Sequence, residues 1–351
     1  MAELVDRFSC DGFSTVYIGG GTPSFLPPAI LERVLSVISG YRHDDLEWTI
    51  EANPEDLDPE LLSLARGGGV NRLSMGIQSL EDGARKTAGR RGSADQVRRV
   101  IDMVAACWNG RVSADLMYGL PNQSTEGLAR DVRSLVDSGI GHLSLYELTL
   151  EEGTPLERSA RAGDIRLPDE DERADQYDAA REALRAAGFE HYEVSNWALP
   201  GQRCVHNVHY WNMDDWLAVG PSGVGNTSSD DGGFLRLENA ADDQRYYADP
   251  SASMSIVQVA RPDAMFETLM MALRTSNGLC LKDFSRKFGI DAIAAFGSLH
   301  QVFPESIIMD SGFWRPTDRG MDTLNRVLVS ALSNMESFHR RVDAGVQESR
   351  Q

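Results

Sequence analysis

The sequence predicts an α/β protein, a parallel sheet covered by helices and followed by a smaller, mainly α-helical domain. Three observations carry this. From residue 15 to about 190, short β-branched or apolar runs alternate five times with helix patterns; those helix patterns carry start and stop signals; and beyond residue 260 the alternation gives way to apolar spacing of helical period. Five strand-then-helix units in succession imply parallel neighbours, because parallel strands need a crossover and the crossover is ordinarily a helix.

The first strand is read at 15–18, ended by Gly19, Gly20 and Gly21, with a helix at 28–38 that stops at Gly40. A second strand at 47–50 precedes a helix capped by Asp58, with Pro59 at its first position and the glycines 67–69 at its end. The third strand, 73–77, leads to a helix starting at Ser93 that carries Val97, Val100, Ile101 and Val104 on one face. The fourth, 111–117, is followed by a helix capped by Ser124 and closed at Gly139, and the fifth, 142–148, by a long amphipathic helix over 169–188. The organisation is therefore a barrel-type domain at 1–190, a loop-rich connecting region at 191–260, and a helical domain at 261–351. In the last, Phe266, Leu269, Met270 and Leu273 share a helix face, a final helix begins near Thr317, and the polar tail from Asp343 is read as frayed.

Composition limits the function. At 351 residues, with 42% hydrophobic and 25% charged, the chain can bury a substantial core. Its net charge of -19 repels polyphosphate and anionic membranes, so no nucleic acid partner is expected. The nearest thing to a basic patch, Arg90, Arg91, Arg98 and Arg99, is read as the solvated face of one helix. No run approaches the ~20 apolar residues of a membrane span, and Asp6, Arg7 and Asp11 interrupt the first twenty residues, so a cytoplasmic protein without membrane insertion is expected. Cys10, Cys107, Cys204 and Cys280 are far apart and read mostly as buried small hydrophobes rather than disulfide partners.

Parallel barrels place their chemistry at the C-terminal ends of the strands. Here those ends offer Gly19, Gly20, Gly21 and Thr22, then Glu51 and Asn53, Gln78, Asp115, and finally Glu147 and Thr149. Each alone could be a helix cap or a loop hydrogen bond. Together they suggest one ligand mouth. The triple glycine fits neither G-x-G-x-x-G, since Ser24 stands at the last glycine, nor a phosphate loop. It offers bare backbone suited to a compact amino acid end, with Glu51 and Asp115 for cationic groups and Arg90 for a carboxylate.

The strings YIGGGTPSFLP (17–27), IEANPE (50–55), GVNRLSMGIQSL (69–80), DLMYGLPNQS (115–124), LSLYELTLEEGTPL (143–156) and FEHYEVSNWALPGQRCVHNVHYW (189–211) resemble the radical S-adenosylmethionine family of oxygen-independent coproporphyrinogen III oxidases, closest to its HemW-type heme chaperone branch. Residues 266–332 resemble that family's C-terminal domain. The resemblance implies a partial (βα)6-type radical SAM barrel lacking its first strand. It implies that Gly20, Gly21 and Thr22 hold the amino acid end of S-adenosylmethionine, with Glu51, Gln78, Arg90 and Asp115 adding polar contacts and Thr149 approaching the adenosyl group.

Two departures accompany it. The family holds a four-iron four-sulfur cluster on a C-x-x-x-C-x-x-C loop, whereas this chain is read as beginning after that loop, with residues 1–8 as the tail of the first helix. No cysteine has neighbours at a workable spacing, so radical catalysis by the chain as written is not expected. Residues 221–225, Pro-Ser-Gly-Val-Gly, replace the glycine-alanine-histidine-glycine stretch of related chains, leaving Val224 where they carry an imidazole.

Residues 206–211 match the H-N-x-x-Y-W signature of the chaperone branch. The resemblance makes His206 a candidate axial ligand of heme iron, with Cys204 as a second, and Tyr210, Trp211 and Trp197 a candidate aromatic wall, against the plainer reading of His206 as a loop hydrogen-bonder. Three functions follow: a heme-binding and heme-delivering protein with an unidentified acceptor protein; a coproporphyrinogen oxidase-type radical enzyme of porphyrin synthesis; or a non-catalytic remnant, in which the exposed edge of the first strand (Val16, Tyr17, Ile18) would favour aggregation.

Overall fold

The computed structural model describes residues 1–229 and 232–348. The chain forms two compact units: one of Asp11–His191 with Ser195–His206, the other of Met1–Cys10, Tyr192–Val194 and Asn207–Gln351. The residues read as the tail of a helix form α1 (Ala2–Arg7), in the second of these.

The first unit runs β1 (Phe13–Ile18), α2 (Pro28–Ser39), β2 (Arg42–Ala52), α3 (Pro59–Gly67), β3 (Arg72–Gln78), α4 (Asp82–Thr87), α5 (Ala94–Cys107), β4 (Arg111–Tyr118), α6 (Thr125–Asp137), β5 (His142–Glu147), α7 (Pro155–Ala162) and α8 (Glu170–Ala186). Neighbouring strands from β1 to β5 pair in parallel and in chain order, a curled half-barrel sheet with β1 at its edge. The start signals act as read. Asp58 accepts from the Leu61 N–H, Ser124 from Gly127, and Ser93 and Asp169 form reciprocal capping boxes with Gln96 and Glu172. Helix packing is close where α3 ends, since a Cβ on Gly68 would lie 2.6 Å from the Leu35 side chain of α2.

What positions the site is the alternation along each strand. Trp48 and Ile50, Leu73, Met75 and Ile77, Ala114 and Leu116, Leu143 and Leu145 are buried on one face. The residues between them are Thr49, Glu51, Arg72, Ser74, Gly76, Gln78, Ser113, Asp115, His142 and Ser144. Parallel strands covered on both faces read as continuous apolar runs; a period of two shows that one face of this sheet is polar.

The connecting region is more regular than its sequence suggests. It contains β6 (Glu190–Glu193), where the chain passes between units, β7 (Asn196–Ala198), antiparallel to β5, and α9 (Val205–Trp211). It then forms an antiparallel sheet in the order β10-β9-β8 from β8 (Val224–Ser228), β9 (Phe234–Glu238) and β10 (Ser255–Val259), with α10 (Asp243–Ala248) and α11 (Pro250–Ser253) between the last two. Strands of three to five residues are too short to display a period, so the reading of 191–260 as loop-rich is corrected.

The second unit continues through α12 (Arg261–Ala272), β11 (Leu279–Cys280), α13 (Leu281–Phe288), α14 (Ala292–Phe296), α15 (Leu299–Val302), β12 (Ile307–Asp310), β13 (Phe313–Pro316), α16 (Asp318–Asp322) and α17 (Leu324–Glu348). It is mainly helical, with β11, β13 and β12 as a small antiparallel sheet. Leu269, Leu273, Phe284, Phe288, Phe296, Trp314 and Val327 form its core; Phe266 and Met270, read on the same face, pack only partly against it. The tail read as frayed is helical to Glu348, and residues 349–351 lie outside the described residues. Of the cysteines only Cys204 is buried; Cys10 and Cys280 are half-buried and Cys107 is exposed.

Candidate functional site

Gly21, Thr22, Glu51, Asn53, Ser74, Gly76, Gln78, Arg90 and Asp115 line one cleft of ≈ 290 Å³ on the polar face of the half-barrel. Side chains from β2, β3 and β4 and the backbone after β1 meet there because inward-facing residues of tilted strands reach the mouth at different depths. Asp115 accordingly lies within β4 and not past its end.

The glycines have separate reasons. Gly20 and Gly21 have φ of 76° and 55°, a left-handed turn that side chains resist. Gly19 is a matter of space: a Cβ there would lie 2.8 Å from the Tyr17 ring and 2.9 Å from the Glu51 carboxylate. That carboxylate accepts from Tyr17 Oη at 2.7 Å on Oε1 and from Gly20 N at 3.1 Å on Oε2. Burial and then Glu51 raise the Tyr17 phenol well above its ordinary pKa, so it stays a donor.

Arg90 donates to Asn53 Oδ1 at 2.8 Å and lies over Gly76, where a Cβ would come 3.0 Å from Nη2. Arg90 and Arg91 precede α5, so the four arginines are not one solvated helix face: Arg90 enters the cleft and Arg91 pairs with Asp56. Gln78 sits at φ 67°, at the irregularity between Gly76 and Gln78 in the β3–β4 register, a strained position of the kind found at binding sites. Buried Arg85 braces that turn by donating to the carbonyls of Ile77, Ser79 and Arg91; sequence reasoning missed it. Burial, and then Glu51, push Asp115 up to about 6 against the opposing hydrogen bond from Ser144 and the charge of Arg90.

Thr149 is exposed beyond β5 and is not among the cleft residues; Glu147 is also exposed and pairs with Arg173. Glu147 ends β5 on the side of Leu143 and Leu145, opposite His142 and Ser144, and Thr149 lies beyond the strand.

Beneath the cleft a buried ion pair holds the chain that precedes α9. Arg72 meets Glu47 at 3.0 Å, Ser113 Oγ at 2.9 Å, and the carbonyls of Gln202 and Arg203 at 2.9 and 2.8 Å. Glu47 accepts from His206 N at 3.0 Å and from Cys204 Sγ at 3.5 Å. Cys204 is thus buried on a carboxylate, which argues against its reading as a heme ligand. The His206 ring stacks on Tyr17 with centroids 5.1 Å apart, and Nδ1 lies 2.8 Å from Thr15 Oγ1. Trp197 is fully buried and stacked on His191 at 4.1 Å, so it offers no open wall, a second correction. Tyr210 and Trp211 belong to the other unit, where Tyr210 meets Trp216 edge-on at 4.7 Å. His209 pairs with Asp214 at 2.7 Å, and Val224 opens β8 with its side chain exposed.

Fold and cleft together define a parallel half-barrel protein whose site lies at the C-terminal ends of its strands. Residues 1–135 match the Radical SAM superfamily and 259–322 the HemN C-terminal domain. The chain is 29% identical over 344 residues to the heme chaperone HemW of Lactococcus lactis, covering 96% of this chain and 89% of that one. It is 32% identical over 336 residues to the mouse mitochondrial radical S-adenosyl methionine domain-containing protein 1, covering 92% and 76%. Among solved structures, the Escherichia coli coproporphyrinogen III oxidase HemN has the same fold, with a TM-score of 0.76 at 18% identity over 94% of this chain and 80% of that one. The chain therefore belongs to the radical S-adenosylmethionine family, in its HemW-type branch.

Membership implies S-adenosylmethionine and a four-iron four-sulfur cluster as the family's cofactors. The cleft fits the first: bare backbone, two carboxylates and an arginine suit an amino acid bearing a sulfonium. For the cluster the residues do not fit. Among the described residues no group of three or more His, Cys, Asp or Glu side chains converges as a metal centre requires. No helix of the described residues is long and apolar enough to cross a membrane.

Proposed function

We propose that this chain is a cytoplasmic heme-binding and heme-delivering protein whose half-barrel cleft takes S-adenosylmethionine. The observation that carries the cleft assignment is the convergence of Gly21, Glu51, Gln78, Arg90 and Asp115 in one polar cavity on one face of a parallel sheet. Its volume of ≈ 290 Å³ is at the small end of ligand pockets, enough for an amino acid end. Arg90 is the partner for the ligand carboxylate, and Glu51 and Asp115 for its ammonium and sulfonium charges. Bound, the sulfonium supplies an activated carbon-sulfur bond; the residues here bind and orient it.

The heme assignment rests on the H-N-x-x-Y-W segment and on relatives named heme chaperones. His206 is the candidate axial ligand, and Thr15 on its Nδ1 orients the ring as the outer partners of metal-bound histidines do. Tyr210, one helical turn on, and Trp211 are the candidate aromatic contacts to the macrocycle. The partner is then a heme-accepting protein. The alternative, a coproporphyrinogen oxidase-type enzyme, rests on a fold likeness at 18% identity, and among the described residues no group of side chains that could hold its cluster supports it.

Two titrations of the purified protein test the reading. Hemin should give a saturable Soret shift that His206→Ala weakens, and S-adenosylmethionine should bind by calorimetry and be lost in Glu51→Gln. Hemin binding no stronger than to a control globular protein removes the chaperone assignment.

A further inference from the structure

We propose that His206 is a positioning residue for the cleft: it holds Tyr17, and through Tyr17 the Glu51 carboxylate, so that occupation of the imidazole and of the cleft alter each other's affinity. The proposal rests on the cleft being the S-adenosylmethionine site and goes beyond it by connecting that site to the H-N-x-x-Y-W segment.

Four contacts form one line. Nδ1 of His206 meets Thr15 Oγ1 at 2.8 Å; its ring stacks on Tyr17 at 5.1 Å and 24°; Tyr17 Oη donates to Glu51 Oε1 at 2.7 Å; and Glu51 Oε2 accepts from Gly20 N at 3.1 Å. Thr15 and Tyr17 stand two residues apart on β1, hence on the same side of it, and the imidazole bridges them. Among the described residues this strand is the edge of the sheet and pairs through its backbone with β2. The space beside Gly19 is filled by this line, since a Cβ there would lie 2.8 Å from the Tyr17 ring and 2.9 Å from the Glu51 carboxylate.

The segment that delivers the imidazole is fixed separately. Its backbone is held by Glu47 on His206 N and by Arg72 on two carbonyls, so the ring can be removed without releasing the chain. A ligand that draws the imidazole off Tyr17, such as heme iron at Nε2, frees the phenol to tilt and turns Glu51 away from the Gly20 turn. By linkage, a ligand clamped on Glu51 holds Tyr17 and therefore the ring.

The test is calorimetric titration of S-adenosylmethionine into the whole chain as wild type, His206→Ala, Tyr17→Phe, the double variant and Glu51→Gln, with hemin titrations with and without saturating S-adenosylmethionine. Loss of one hydrogen-bonded contact corresponds to about tenfold in affinity. Each single variant should lose about that factor and the double variant no more, the mark of one shared path. His206→Phe, which keeps the stack, should retain most of the affinity, and Tyr17→Phe should abolish the effect of S-adenosylmethionine on hemin affinity. Should His206→Ala be poorly folded, Tyr17→Phe gives the same readout. Wild-type affinity in Tyr17→Phe or in folded His206→Ala, with binding lost in Glu51→Gln, overturns this coupling alone. No binding by the wild type overturns the cleft assignment and the coupling with it.

Discussion

Gly19 and Asp115 show how one residue carries opposite demands. Because any Cβ at Gly19 would strike both Tyr17 and Glu51, Gly19→Ala should displace that pair and cut ligand affinity by more than Gly21→Ala, around which the space is open. Gly21→Ala should instead cost about 1 kcal/mol of stability through its left-handed backbone; thermal unfolding and ligand titration of the two variants separate the effects. For Asp115 the sign is set by a carboxyl raised from 3.8 to about 6 in the folded chain. Between those values the native state holds a proton that the unfolded state has released, so this residue's contribution to stability falls as pH rises from 3.8 to about 6 and stays lost above. Asp115→Asn should therefore raise the melting temperature of the ligand-free protein above pH 6 while weakening a cationic ligand. Asp131 shifts in the same direction and His142, pushed down to about 3, in the opposite one, but both cancel in the comparison with wild type. The residues that reasoning from strand ends recovers are those whose side chains face inward; Glu147, the last residue of β5, shares the side of Leu143 and Leu145, and Thr149 follows the end of the strand.

At the scale of elements, the polar face needs something to close its lower end, and the segment 202–206 does so through Arg72 and Glu47. Breaking a buried ion pair from one side costs about 3–5 kcal/mol, more than replacing both partners. Arg72→Met should show a loss of that order in denaturant unfolding, and should expose Cys204 to thiol reagents as its segment comes free; the pair replaced together, Glu47→Leu with Arg72→Met, should recover part of the stability. Sequence reasoning located Cys204 and His206 but not what holds them, because Glu47 and Arg72 lie 157 and 130 residues from their partners Cys204 and Gln202 along the chain. One signal was available. A glutamate or arginine in an inward position of an otherwise alternating parallel strand, as in Leu-Glu-Trp-Thr-Ile-Glu, marks a face that is not packed against helices.

For the whole molecule, the net charge of -19 acts on stability and association, not on the fold. Self-repulsion is relieved when the Debye length shrinks from about 10 Å to about 3 Å, so added neutral salt should raise the melting temperature, read by calorimetry. The division into two units departs from the boundaries near 190 and 260, since residues from 207 onward cluster with the C-terminal elements. No composition shift marks that junction, because α9 carries the chain from one unit to the other within a regular helix.

Taken alone, the chain's letters determined the strand-helix succession, the helix caps, the parallel sheet and most of the cleft, because those depend on periodicity and on neighbours within a few positions. Only the tertiary structure decided that Thr149 lies outside the cleft, that Trp197 is buried, that Arg90 lines the cleft and is not on a helix face, and that His206 leans on Tyr17. These are matters of which side chains share a space once strands twist and curl, and sheet curvature brings together residues that no local pattern relates.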